Sequence, residues 1–423
     1  MERKVFPFRG VFYNLEKVKE LEKVLCPPYD IISSKEQEDF YKMHPLNIIR
    51  IDYGKIFPGD SLKNNRYTRA KRLFQQWLKE KILVQDSSPS FYLLSQKFAY
   101  KKEKFVRWGI IGRLKLSQKG NVFSHEKTSS SPKEDRFRLL RAIRANTNPI
   151  FAIFEDEDSL VEKLVKPYFP QRPFLKFEFQ KIDHCLWRIN EPNLIRKIED
   201  VFRGKNIFIA DGHHRYEASL LYQNYCRKKN PYHTGREDYN FVMSYFTPLN
   251  SKALKILPTH RLLKKIPIDI WEKLGLYFEI KPCSKSYLLD LLDNPCQKGY
   301  QFGMYIGKNK YFLLTLKENL KPEELICEDK IIEWKRLETS ILQHIIIEKI
   351  FEVKDSDFGS IFYTQDLEEA ICKVNSKEYK IAFFLKPTNV YEVRNIALAK
   401  ERMPHKSTYF YPKLPSGLVI NLL

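Results

Sequence analysis

At 423 residues the chain is too long for one ordinary hydrophobic core, so two domains are expected. A hydrophobic share of 43% with 14% aromatics excludes a disordered chain and supplies a large interior. Lys and Arg number 73 against 52 Asp and Glu, a formal charge of +21, which favours nucleic acid, acidic membrane surfaces or phosphorylated small molecules as partners unless the excess is only lysine spread over a solvated surface.

The opening Met1-Glu2-Arg3-Lys4-Val5-Phe6-Pro7 has no apolar signal region, and no run approaches membrane-spanning length; a soluble, cytoplasmic protein is expected. Seven cysteines are scattered without a C-x-x-C pair. That pattern predicts free thiols in a reducing compartment and argues against a disulfide framework or a structural zinc site.

In chain order, the first predicted element is a strand over 5–12, interrupted by Pro7. Cys26-Pro27-Pro28-Tyr29-Asp30 follows as a rigid extended turn ending in a carboxylate, and Ser33 or Ser34 is suited to cap a short helix. Residues 67–82 predict an amphipathic helix, with Ala70, Leu73, Phe74, Trp77 and Leu78 at helical spacing. Stretches 91–100 and 105–116 predict a hairpin. Ser131-Pro132-Lys133-Glu134 reads as a capping box that opens a helix to about Asn146, and 150–154 as a buried strand. The acidic turn 155–158 reads as solvated. After the Asp211–Arg215 motif a helix runs to about Lys229, where Asn230-Pro231 ends it, and a strand over 241–249 follows. Residues 265–325 alternate short helices and strands. One apolar helix is expected over 331–351, burying Trp334, Leu337, Ile341, Leu342, Ile345 and Ile346, and a strand over 379–385. The fold class is therefore α+β (mixed α/β), with a first domain over 1–245 and a second α/β domain over 246–423.

The chemistry concentrates where the apolar run Ile207-Phe208-Ile209-Ala210 delivers Asp211-Gly212-His213-His214-Arg215 to a helix start. The first N–H groups of a helix carry partial positive charge, Gly212 allows close backbone approach, and Arg215 and the histidines add donors. That combination makes an anion or phosphate site; the plain alternative is an Asp-capped strand-to-helix turn. Four further polar clusters lie in loops or at element ends: Tyr29-Asp30, Ser124-His125-Glu126-Lys127-Thr128, Thr259-His260-Arg261 and His405-Lys406-Ser407-Thr408. Together they supply cations and hydroxyls for a polyphosphate, with Asp30, Glu126 and Asp211 available as a base or toward Mg²⁺. A Walker loop, G-x-G-x-x-G and a kinase H-R-D set are lacking, as is a zinc-ligand spacing such as H-E-x-x-H.

At Asp211-Gly212-His213-His214-Arg215-Tyr216-Glu217-Ala218 the chain also resembles a large bacterial and archaeal family carried under a domain-of-unknown-function label. That family is similar at this motif to the ParB/sulfiredoxin-type superfamily, whose turn binds nucleotide phosphates and whose members include free L-serine kinases. The resemblance extends through Phe6-Pro7-Phe8-Arg9, Pro28-Tyr29-Asp30, His125-Glu126-Lys127-Thr128, Asp135-Arg136, Asn148-Pro149-Ile150-Phe151, Leu257-Pro258-Thr259-His260-Arg261, Met403 to Phe410 and Ser416-Gly417-Leu418.

It implies a ParB/sulfiredoxin-like phosphate-binding domain, to whose site the second domain contributes, and a cytoplasmic kinase. The implied reaction converts free L-serine to O-phosphoserine with pyrophosphate or a nucleotide as donor and Mg²⁺ as the expected cofactor. Gly212, His213, His214 and Arg215 would hold the donor phosphate. Lys127, Arg261 and Lys406 would be further clamps, joined by Thr128, His260, Ser407 and Thr408. One of Asp30, Glu126 or Asp211 would deprotonate the hydroxyl. The sulfiredoxin branch carries a cysteine within this turn, where His213 stands here, which argues against sulfinic-acid reduction. The alternative class is a ParB-like nucleic-acid-binding or nucleotide-responsive regulatory protein, ranked second because the basic residues are dispersed and no helix-turn-helix is evident.

Overall fold

The computed structural model describes residues 3–117, 121–126, 128–156, 158–293, 299–353 and 359–423. The chain forms two compact mixed α/β units. One comprises Met1–Phe123, Thr128–Leu254 and Pro412–Leu423, and the other Ser124–Lys127 and Lys255–Tyr411. The crossing falls after Leu254 rather than at the expected 245/246, because strand Phe241–Pro248 is an interior strand of the first unit's sheet.

That sheet is built around the predicted hairpin. Strands Phe91–Tyr100 and Glu103–Lys115 pair antiparallel, with Ile182–Ile189 and Leu175–Phe179 continuing on one side. On the other side come Phe241–Pro248, then Ile150–Phe154, then Ile207–Asp211. Ile150–Phe154 runs parallel to Phe241–Pro248 and antiparallel to Ile207–Asp211, and it is buried throughout, as its unbroken apolar run requires. Helix Ser130–Ile143 leads into this strand, and helix His213–Lys229 leaves Ile207–Asp211. The two helices pack together through Leu140, Ala218 and Tyr222, with Phe137 and Tyr225 alongside.

Helix Arg66–Lys79 buries the expected Ala70, Phe74 and Trp77, and Asn65 caps it by accepting from the N–H groups of Tyr67 and Thr68. The capping box expected at Ser131 is not formed. Helix Ser130–Ile143 begins two residues before the expected first helical position, Pro132; Ser129 makes no side-chain cap bond, and Pro132 sits in the first turn, where its missing N–H has no intrahelical partner to lose.

The C-terminal segment is stitched into the first unit at several points. Asn421–Leu422 pairs with Ala145–Asn146, and Val11 and Ile420 exchange backbone bonds of 2.8 and 3.0 Å. The Ser416 N–H donates to Cys26 O and the Gly417 N–H to Thr147 O, each at 2.8 Å. Gly417 has φ +84°, and a Cβ there would lie 3.0 Å from the Ile48 side chain, so the turn requires glycine.

The second unit is an antiparallel sheet of six strands. In spatial order they are Phe278–Cys283, Tyr311–Leu316, Gln301–Tyr305, Ile381–Phe384, His260–Leu263 and Ile361–Thr364. Helices Lys285–Asp293 and Leu367–Asn375 cover one face through Leu288, Leu291, Ala370 and Val374, against Leu262, Ala382 and Phe384. Lys255–Leu257 and Tyr409–Tyr411 form a separate ribbon.

The single helix expected over 331–351 is broken. Ile332–Lys335 is followed by Leu337 in an extended conformation (ψ 134°), then by Glu338–Ile341 running into a π-helix, Leu342–Ile350. All six expected stripe residues are buried nonetheless. The apolar residues Leu342, Ile345, Ile346, Ile347 and Ile350 are too closely spaced for one stripe of a 3.6-residue turn, and a wider turn brings more of them inward. The described cysteines, 26, 185, 226, 283, 327 and 372, are free thiols; Cys296 lies outside the described residues. Among the described residues no helix is long and apolar enough to cross a membrane.

The acidic turn 155–158 differs from expectation as well. Asp156 is 2% exposed and accepts from the N–H groups of Leu160 and Val161, both at 3.1 Å, so it ties down the first turn of helix Leu160–Val165. A buried carboxylate satisfying helix N–H groups is a structural cap, not a solvated charge. Asp156→Ala is expected to cost about 1–2 kcal/mol in urea denaturation, while Asp158→Ala, on an exposed residue, leaves the midpoint unchanged.

Candidate functional site

The expected helix-terminal turn is present in the first unit. Strand Ile207–Asp211 shifts register against its neighbour between Ile209 and Asp211, which ends the regular pairing at the aspartate. Gly212 then takes φ +88°, ψ 29°, a left-handed conformation, and helix His213–Lys229 starts behind it. A Cβ at position 212 would lie 2.9 Å from Nε and Nη2 of Arg215, so glycine also makes room for the guanidinium to fold back over the turn. Arg215 Nη1 donates to Pro149 O at 2.7 Å, while its Nε is buried without a hydrogen-bond partner among the described residues. Next along the helix, His213 is 2% exposed, whereas His214 is half-buried and its Nε2 accepts from the Ser129 N–H at 3.2 Å.

Asp211 is locked in place. Its Oδ1 accepts from the Gly212 N–H at 2.7 Å and its Oδ2 from Lys413 Nζ at 2.8 Å. Burial alone would push this carboxyl up; the charges of Lys413 and Arg215 and the Lys413 hydrogen bond outweigh it and hold the group well below the usual carboxylate range.

Asp30 has different surroundings. It is exposed, in the short turn Tyr29–Ile31, and makes no side-chain hydrogen bond or ion pair among the described residues. Its neighbour Tyr29 fixes the turn, because the guanidinium of Arg136 lies 3.9 Å from the Tyr29 ring centroid. Burial pushes the Tyr29 phenol well up against the opposing charges of Arg136 and Arg215.

Behind both lies a buried polar network. Arg136, 5% exposed, pairs with Asp52 at 3.5 Å and donates through Nε to Asp135 at 2.8 Å; Nη1 also donates to Asp52 O at 2.8 Å. Asp52 in turn accepts from Thr147 Oγ1 at 2.6 Å and Ser416 Oγ at 3.2 Å. Asn148 Nδ2 donates to Ser416 Oγ at 2.9 Å and Leu414 O at 3.1 Å. Asp52, Arg136, Asn148 and Arg215 line one small cavity.

The remaining expected residues sort between the units. Thr128 belongs to the first, where its hydroxyl donates to Glu217. Lys127 lies outside the described residues. In the second unit three sequence clusters converge. His125 Nε2 lies 3.1 Å from Thr408 Oγ1, Met403 N donates to His125 O at 2.7 Å, and Glu126 bridges Met403. The Tyr363 ring links the other two, with the Arg261 guanidinium 5.9 Å from its centroid and His405 edge-on at 5.7 Å. His260 is 2% exposed and edge-on to Phe384 at 5.0 Å, and burial pushes its imidazole down to about 4, so it is neutral. Ser407 is buried with its hydroxyl donating to Pro404 O at 2.6 Å, and Lys406 is half-buried. Among the described residues no group of three His, Cys, Asp or Glu side chains is arranged to hold a metal.

Asp52 and Lys413 escaped the sequence reading. Asp52 follows the isoleucine-rich stretch Ile48-Ile49-Arg50-Ile51, and an acid beside such apolar residues is a detectable signal of a buried partner. Lys413 carried no local signal; only the return of the C-terminal segment brings it to Asp211.

The family model described as "Protein of unknown function (DUF1015)" matches residues 5–340. No curated protein matches the chain. Among solved structures, a conserved hypothetical protein from Pyrococcus furiosus is 13% identical over 73% of this chain and 94% of its own, with a TM-score of 0.36. A free serine kinase in complex with AMP is 13% identical over 71% and 86%, TM-score 0.35. SbnI with a C-terminal truncation, from Staphylococcus aureus, is 10% identical over 74% and 87%, TM-score 0.36. Likeness at this level carries no argument about the chemistry.

The Asp211–Lys413 pair has a pH signature. A carboxyl depressed in the folded state contributes stability above its unfolded pKa of about 4, and that stability is lost as pH falls toward the folded value. Lys413→Met is therefore expected to cost about 3 kcal/mol at pH 7 and to flatten the loss of stability below about pH 4, read by urea denaturation across pH. An unchanged acid limb would remove the pair from the stability of the turn.

Proposed function

We propose that this chain, which belongs to the DUF1015 family, is a phosphotransferase with a small hydroxyl metabolite as acceptor, and that the reaction converts free L-serine to O-phosphoserine. The donor is a nucleotide or pyrophosphate, and the first unit is the ParB/sulfiredoxin-like, phosphate-binding one. The observation that carries this reading is the turn at Gly212. It combines a left-handed glycine at the start of a long helix with an arginine folded over the turn, whose buried Nε–H has no hydrogen-bond partner among the described residues.

On this reading the backbone N–H groups after Gly212 and the side chains of Arg215 and His214 receive the donor phosphate. Asp211 is a positioning residue: ion-paired to Lys413 and held ionised, it orients the turn and is a poor proton acceptor. Asp30, exposed and without a side-chain partner among the described residues, takes the proton from the acceptor hydroxyl. The acceptor oxygen then forms its bond to the terminal phosphorus as the bond from that phosphorus to the donor's bridging oxygen breaks. The leaving phosphate keeps the electron pair, and its growing charge falls on the Gly212–Arg215 cradle. Mg²⁺ brought in with the donor's phosphates would supply charge neutralisation at the cradle. Cytoplasmic serine metabolism is the setting proposed.

The test is phosphoserine formation, followed by mass spectrometry, with L-serine, Mg²⁺ and ATP, ADP or pyrophosphate supplied separately. Product is expected with one donor. Arg215→Ala is expected to lower turnover about 100-fold or more, and Asp30→Asn by at least about 100-fold, with both proteins folded. A fully active Arg215→Ala enzyme would sink the cradle, and no product with any donor would sink the kinase.

A further inference from the structure

The Arg215 side chain has one hydrogen bond among the described residues, from Nη1 to Pro149 O at 2.7 Å. Its Nε–H is buried and has no partner among them. A planar group held at one corner can swing about that bond, so a guanidinium that is to meet a phosphate squarely needs a second anchor.

The residue before Pro149 carries the complementary atom. Asn148 is 6% exposed, and its Oδ1 is likewise buried without a partner among the described residues. The amide cannot turn over to relieve this. Nδ2 donates to Leu414 O at 3.1 Å and to Ser416 Oγ at 2.9 Å, and a carbonyl oxygen only accepts, so the NH2 end must stay on that side. Asn148 therefore offers a fixed acceptor and Arg215 a fixed donor.

Both side chains line the same cavity, with Leu139, Ala145 and Val242 among its apolar walls. It offers about 30 Å³ to the centres of water-sized molecules. A water needs roughly 10–15 Å³ on that measure, whereas metabolite pockets run from roughly 300 Å³ upward. Chemistry narrows the occupant further. A carboxylate or phosphate anion has no proton for Oδ1, and an ammonium has no lone pair for the Nε–H. Water accepts on one side and donates on the other, and it meets the size. Leftover buried donors and acceptors are commonly joined in this way.

We infer that Asn148 positions Arg215 through a water molecule that accepts from the Arg215 Nε–H and donates to Asn148 Oδ1. The bridge completes a chain of hydrogen bonds from the Asp52 carboxylate through the Ser416 hydroxyl and the Asn148 amide to the guanidinium over the Gly212 turn. Its role, holding Arg215 ready for a phosphate, rests on the phosphate-binding reading of that turn; the water itself does not.

The test is a crystal structure of the ligand-free full chain at a resolution that orders water, together with calorimetric titration by pyrophosphate. One ordered water within about 3.2 Å of both Nε and Oδ1 is expected. A dry cavity, or a water that reaches only one of the two atoms, overturns the bridge. Val242→Ile adds a methyl group to the apolar wall and displaces the water while leaving Asn148 and Arg215 in place. It is expected to weaken pyrophosphate binding about ten-fold in the wild-type background. In Arg215→Lys, which keeps the charge but has no Nε–H, the same substitution is expected to cost nothing further. An equal loss in both backgrounds, as a purely structural effect would give, overturns the positioning role, and so does no loss in wild type. Ala145→Val, at another wall, carries the same expectations should Val242→Ile fail to fold. Absence of pyrophosphate binding by wild type would count against the phosphate reading of the turn, and the crystallographic water then decides the bridge alone.

Discussion

The first unit is organised around one buried charge, the carboxylate of Asp52, which is 4% exposed. A buried carboxylate is tolerated only if its lone pairs are filled, and the partners that fill them come from three distant stretches of chain: Arg136, Thr147 and Ser416. Helix Ser130–Ile143, the lead into strand Ile150–Phe154 and the C-terminal segment must therefore arrive together. The consequence reaches the candidate site directly. Arg136 turns its face to Tyr29 and so fixes the turn that carries Asp30, while the segment that supplies Ser416 also supplies Lys413 to Asp211.

A second constraint acts locally at Gly212. Side chains other than glycine are strained at φ +88°, and a Cβ would strike the Arg215 guanidinium. The turn's backbone, its helix N–H groups and its arginine thus form one unit, and Asp211 is consumed in holding it. Its two oxygens are committed to the Gly212 N–H and to Lys413. Two carboxylates of the first unit consequently differ in character: Asp211 is held ionised and in place, and Asp30 is exposed and makes no side-chain bond among the described residues. Such a separation of environments is how two chemically identical groups take different roles.

The second unit separates environments in the same way along one strand. His260 is neutral and packed against Phe384, a structural part of the sheet. Arg261, one residue further, points to the opposite side of the strand and meets a neutral amide. Alternation along a single strand therefore divides an apparently uniform polar cluster into a packing residue and a charged one.

Much of the local structure was legible in the sequence. The hairpin, the helix after Gly212 and the apolar strand 150–154 follow from periodicity, glycine and proline placement, which act over a few residues and need no knowledge of the rest of the chain. The special turn at Asp211-Gly212-His213-His214-Arg215 was legible for the same reason. Tertiary structure alone decided what long-range contacts decide. It made Asp156 a buried cap and broke the 331–351 helix to fit its apolar surface inside the second unit. It also carried Lys413 and Ser416 back to partners more than 200 positions earlier in the chain. Pairings between such distant positions leave no local pattern, because each partner's own neighbours are compatible with an exposed residue; only the closed fold removes the water that would otherwise serve them.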